Sequence, residues 1–171
     1  GEPGHETWEQ CPPNPKTYCD PEAWKHGGGS IWVTGSYDPD LNLTYWGTGN
    51  VGPDYGHEQR PGDNLYTAAV VALDADTGRL RWHYQFTPHD LYDWDGGQTP
   101  MVVNRRFGGQ ERKLLMQANR NGFFYVLDRT TGEYLLGKPF TKVTWTTGLD
   151  AKGRPQNTVP NREFSRVLPT A

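Results

Sequence analysis

VALDADTGRLRW at residues 71–82 and YVLDRTTGEYLL at residues 125–136 decide the fold. Asp74, Thr77 and Gly78 of the first stretch recur as Asp128, Thr131 and Gly132 of the second, all at one constant shift. In each, a β-rich run ends in an Asp that can cap a turn, and a Gly supplies the positive φ that closes it. Outward from the first turn lie four β-rich runs, SIWVTGSYD, LTYWGTGN, AAVVALD and LRWHYQF, with DPDLN and DADTG as turns. Around the second lie TPMVVNRRF, KLLMQANR, FFYVLD and EYLLGKPF, broken by GGQE, NG and RTTG. Hardly any stretch places apolar residues at helical spacing. A four-stranded unit repeating at about 40–50 residues marks a β-propeller blade. The expectation is an all-β chain of two four-stranded blades, residues 30–86 and 87–140. A Pro- and Gly-rich loop segment, 1–29, precedes them, and 141–171 reads as the start of a further blade or a loop. Trp82 follows the first turn and is placed to pack between neighbouring blades. Propellers close with about 4–8 blades, so the chain reads as a piece of a larger ring.

Composition narrows the function classes. The 171 residues carry 17 Lys+Arg against 20 Asp+Glu, a formal net charge of -3, which argues against a nucleic-acid binder or a polybasic membrane-surface protein. No apolar run approaches the roughly 20 residues of a helical membrane span, and the opening GEPGHETWEQ lacks the basic start and apolar core of a signal peptide. An aromatic content of 13% argues for a folded chain. Cys11 and Cys19 fit neither a zinc pair nor a Cys-x-x-Cys redox motif. They read as a local disulfide in an oxidising compartment or as two free thiols.

Three segments, GGSIWVTGSYDPDLNLTYWGTGN, RPGDNLYTAAVVALDADTGRLRWHYQFTPHDLYDWDG and ANRNGFFYVLDRTTGEYLLGKPF, occur in an order and spacing that resemble one family. They are similar to the pyrroloquinoline quinone (PQQ)-dependent methanol/ethanol-type alcohol dehydrogenases, periplasmic eight-bladed propellers. The resemblance covers about residues 27–147. It implies oxidation of a small primary alcohol to an aldehyde, a calcium or lanthanide ion beside PQQ, and a periplasmic cytochrome c as electron acceptor. The family's Glu metal ligand, vicinal disulfide and remaining blades would fall outside this sequence.

The resemblance also assigns roles to residues. Trp32 becomes the indole under the tricyclic quinone, where offset stacking is worth roughly 0.5–1.5 kcal/mol beyond burial. Ser30 would hydrogen-bond the cofactor, in a place where relatives often carry Thr. Asn50, which ends GTGN, would lend its amide oxygen to the metal, as suits a hard cation. Asp93, in HDLYDWDG, becomes the general base for the alcohol hydroxyl and a further metal contact. Asp95, two residues on, shares its face if the segment is extended, and its extra charge suits a trivalent ion, so the metal is expected to be a lanthanide. Arg120 would place a cation beside the quinone oxygens and could pair with Asp93. Asn119 stands where some relatives have Asp, which leaves open the partner of Arg120.

Each of these residues also has a plainer reading: Trp32 as a blade-packing indole, Asn50 as a turn residue, Asp90, Asp93 and Asp95 as a solvated acidic turn, Arg120 as a surface cation. His89 reads as a loop-holding hydrogen-bond partner rather than a ligand, and His83 is not assigned a role. The sequon at Asn42 falls in a short turn and is set aside. Two rival functions remain at this point. A non-catalytic propeller scaffold would share the blades without needing Trp32, Asn50, Asp93 and Arg120 together. A quinoprotein acting on a sugar would share the cofactor but not the substrate.

Overall fold

The computed structural model describes residues 28–54, 60 and 62–158. Among them the regular structure is all strand. The first sheet is a meander of β1 (Ser36–Asp38), β2 (Leu43–Gly47), β3 (Ala69–Asp74) and β4 (Leu80–Gln85). The second repeats it with β5 (Met101–Phe107), β6 (Gln110–Ala118), β7 (Phe123–Asp128) and β8 (Tyr134–Pro139). All neighbours within the two sheets pair antiparallel. A short hairpin, β9 (Gly148–Leu149) with β10 (Pro155–Gln156), follows.

The internal repeat extends to the turns and to the register irregularities. In the β3–β4 turn Gly78 N–H donates to Asp74 O at 2.8 Å, and in the β7–β8 turn Gly132 N–H donates to Asp128 O at 2.8 Å. The Asp74 carboxylate accepts the Thr77 N–H at 2.9 Å, and Asp128 accepts the Thr130 N–H at 2.9 Å, so each Asp caps its own turn. Register shifts fall at Ala72/Leu73 and at Val126/Leu127, the same place in the two repeats.

The core lies between the sheets. Tyr45, Val70, Ala72 and Trp82 of the first sheet, with Phe86 just past β4, bury with Leu115, Phe123, Tyr125 and Leu127 of the second. Phe86 and Tyr125 meet across the divide with ring centroids 4.9 Å apart. Full burial of one such apolar side chain stabilises by about 1.5–3 kcal/mol. Trp82 packs as its position predicted: a Cβ added to Gly132, at φ +78, would lie 2.6 Å from the indole Cε3. Its Nε1–H donates to Arg129 O at 3.1 Å. Arg129, in that same turn, is buried and donates to Asp38 of the first sheet at 2.5 Å.

Candidate functional site

Three backbone segments converge where β2 ends. Gly49 N–H donates to Ser30 O at 2.9 Å and Gly29 N–H to Asn50 O at 2.6 Å, which seats residues 28–30 against 49–51. On the other side Gly96 N–H donates to Thr48 O at 2.8 Å. That approach requires glycine at position 47, because a Cβ there would collide with the Gly96 carbonyl. The β6–β7 connection completes the arrangement: Gln117 Nε2 donates to Gly96 O at 2.9 Å, and Asn119 Nδ2 bridges Asp95 O at 3.4 Å and Gln98 Oε1 at 3.1 Å.

The side chains follow from this frame. Asp95 is buried; one carboxylate oxygen accepts the Asn50 N–H at 3.0 Å and the other accepts Arg120 Nη1 at 3.0 Å. A Cβ on Gly49 would meet both Asp95 Oδ1 at 3.2 Å and Ser30 Oγ at 3.4 Å, so these two groups face one spot. Asn50 spends its Nδ2 on Val51 O at 3.1 Å and on the Asp54 carboxylate. Asp93 is half-buried at φ +60, and burial, then the negative Asp54 and Asp95, raise its carboxyl above the usual value, with Arg120 opposing. Asp90 is fully buried and accepts the Tyr92 N–H at 2.9 Å and the Trp94 N–H at 2.8 Å, which folds the loop around Asp93. Burial pushes the Asp90 carboxyl up to about 6. Trp32 is 65% exposed and runs beside Gly97, with indole atoms 3.5–3.6 Å from where a Cβ would stand.

Asn50, Asp95, Arg120 and Ser30 are therefore neighbours, Asp93 lies within electrostatic reach of Asp95 and Arg120, and Trp32 packs against the adjoining Gly97. Three local expectations change. Trp32 is not at the start of a strand, since β1 begins only at Ser36; pairing with residues 49–51 holds the preceding segment instead. The Asp93–Asp95 segment is not extended, because Asp93 is left-handed, and the two carboxylates differ in burial. Arg120 pairs with Asp95 rather than hydrogen-bonding Asp93, which settles its partner without an acid at position 119. His89 Nδ1 lies 2.6 Å from Gly62 O, in its expected loop-holding place, whereas His83 packs edge-on to Tyr66. Cys11 and Cys19 lie outside the described residues. Sequence reasoning passed over Asp54 and Arg60; the only signal for either was a charge beside a Pro-Gly or Gly-Pro turn.

Among the described residues no three His, Cys, Asp or Glu side chains converge closely enough to hold an ion by themselves. The donor chemistry nonetheless fits an oxygen-coordinated cation completed by further ligands. Asn50 Oδ1 and the Asp93 carboxylate accept no hydrogen bond among the described residues, while the polar groups around them are committed. The exposed Trp32 indole offers one flat face, as a planar ring system requires.

Paired four-stranded sheets joined through a Trp-on-Gly contact define a propeller protein, and the comparison with known families agrees. Residues 3–160 match the family described as PQQ: Glucose/ethanol/alcohol dehydrogenase, beta-propeller domain, and the chain belongs to it. It is 51% identical over 135 residues, 78% of its length, to the quinoprotein alcohol dehydrogenase PedH of Pseudomonas putida. It is 45% identical over 130 residues, 75% of its length, to the lanthanide-dependent methanol dehydrogenase of Methylorubrum extorquens. It spans 22% of the length of each of these relatives. The crystal structure of the quinohemoprotein alcohol dehydrogenase from Comamonas testosteroni superposes with a TM-score of 0.76 at 42% identity, over 84% of this chain and 22% of that one.

Proposed function

We propose that these residues form one wall of the active site of a PQQ-dependent alcohol dehydrogenase that oxidises primary alcohols to aldehydes. The observation that supports the reading is that the Asn50 oxygen and the Asp93 carboxylate accept no hydrogen bond among the described residues, with Asp95 and Arg120 close to Asn50 and within electrostatic reach of Asp93. PQQ with its metal would supply the two-electron oxidant and the Lewis acidity. Asn50 and Asp93, with Asp95 alongside, would hold the cation through oxygen. Trp32 would stack on the ring system, and Ser30 Oγ would donate to its edge. Asp93 would take the proton from the alcohol hydroxyl, and the raised affinity for protons that burial gives it suits a base. Arg120 would place positive charge where negative charge builds. The acid at position 95 favours a lanthanide over calcium by charge balance. A periplasmic cytochrome c would take the electrons, and the protein would work in the periplasm.

The test is a substrate panel on the full-length protein reconstituted with PQQ and either calcium or a light lanthanide. Dye-linked oxidation of short primary alcohols, with little on glucose, is the expected result. Quinone binding without any alcohol oxidation would discard the reading.

A further inference from the structure

Arg60 is a buried cation that the catalytic reading leaves without a task. It is 4% exposed. Its Nε donates to Pro53 O at 2.9 Å, and its Nη2 donates to Asp54 O at 2.7 Å and to Asp90 O at 2.6 Å. Its Nη1 donates to Asn64 Oδ1 at 2.9 Å. One planar group thus ties the loop that follows Asn50 to the loop that leads into Asp93 and Asp95.

Each tied loop continues directly into a candidate ligand. On the first, the Asp54 side chain takes the Asn50 Nδ2 and so fixes which end of that carboxamide remains for a cation. On the second, Asp90 caps Tyr92 and Trp94, the residues on either side of Asp93. The guanidinium is itself anchored from outside. Asn64 returns a hydrogen bond to Arg60 O at 3.0 Å, and the adjacent Asp63 is held by Arg154 at 2.6 and 2.7 Å.

We propose that Arg60 is a positioning residue that sets the spacing between the Asn50 oxygen and the Asp93 carboxylate, and thereby the affinity for the cation. The proposal rests on the reading of those two groups as a cation site. The bridging Nη2 is held in place by the Nε contact to Pro53 O and the Nη1 contact to Asn64 Oδ1; a lysine ammonium has one nitrogen and cannot keep those anchors while bridging. Partners behind a ligand commonly change metal affinity 10–100-fold when removed.

The test is terbium titration of the metal-free full-length protein, read by tryptophan-sensitised luminescence, with melting curves in parallel. Arg60→Lys should weaken terbium binding about 10–100-fold while the melt stays cooperative. Arg60→Gly should lose binding to the same degree and regain it with millimolar methylguanidinium but not with methylammonium. Terbium binding equal to wild type in Arg60→Lys overturns the proposal, and so does a loss in Arg60→Gly that methylguanidinium does not relieve. Wild-type protein that binds no terbium overturns the cation-site reading itself, and the role of Arg60 with it.

Discussion

The Arg129 guanidinium of the second sheet donates to the Asp38 carboxylate of the first at 2.5 Å, with side chains only 4% and 2% exposed. The same guanidinium reaches Val103 O at 2.8 Å and Asn104 Oδ1 at 2.7 Å, and the Arg129 carbonyl accepts from both Tyr45 and Trp82. A buried pair of this kind fixes which sheet meets which. It contributes less net stability than the cost of breaking it suggests. Arg129→Met leaves Asp38 buried and unpaired, so the full-length protein should lose about 3–5 kcal/mol in denaturant titration. A loss below about 1 kcal/mol would show that water reaches Asp38.

The pair also predicts an acid limb. Burial alone would raise the Asp38 carboxyl, but the Arg129 hydrogen bond and the Asp40 N–H outweigh it and hold it below the usual 3.8. A carboxyl depressed in the folded state stabilises above its unfolded value and loses that stability as pH falls through the folded value. Stability should therefore drop below about pH 4, and Asp38→Asn should flatten that limb while lowering stability at neutral pH. An unchanged limb in the variant would assign acid sensitivity to other carboxylates.

Gly132 is predicted to be intolerant of any side chain. A Cβ there would stand 2.6 Å from the Trp82 indole, and φ +78 disfavours an L residue. Gly132→Ala should destabilise by about 1–3 kcal/mol, whereas Gly108→Ala, also left-handed at φ +61 but with nothing within 4 Å, should cost less. Melting temperatures of the two variants decide between a packing cost and a purely backbone cost.

The sheets were legible because turn chemistry repeats locally: Asp74 and Asp128 each cap a turn with their own neighbours in sequence. Asn50 and Asp95 also lie within recognisable patterns. Their meeting was not readable from the chain itself, since it depends on Gly47 letting the Gly96 carbonyl come close. Arg129 was hidden for a similar reason. It occupies a turn position where Ala75 stands in the first repeat, and only the packed pair of sheets gives it Asp38. Arg60 acts through backbone carbonyls, which carry no residue-type signal at all.

For Asp93 the expected outcome is catalytic. Asp93→Asn keeps the size of the side chain and an oxygen donor but cannot take a proton. Turnover of the reconstituted full-length enzyme should fall about 10²–10⁴-fold with PQQ still bound by absorbance. Near-normal turnover would move the base to another group, with Asp54, the acid whose charge Asp93 feels most strongly, the first candidate.

Asp95 carries the metal prediction. The Asn50 N–H and Arg120 hold its carboxylate against the Asn50 backbone, so an anion is fixed in place next to the proposed ligand. Calcium can be satisfied by neutral and carboxylate oxygens without it, whereas a trivalent ion gains from every added anion. Asp95→Ala also releases Arg120, whose cation would then oppose any metal nearby. Lanthanide-supported turnover should fall about 10–100-fold in this variant, and calcium-supported turnover much less. Apo-protein reconstituted with PQQ and either ion, assayed side by side for wild type and variant, measures the difference. Wild-type enzyme that is fully active with calcium and indifferent to lanthanides would leave Asp95 as the partner of Arg120 and nothing more.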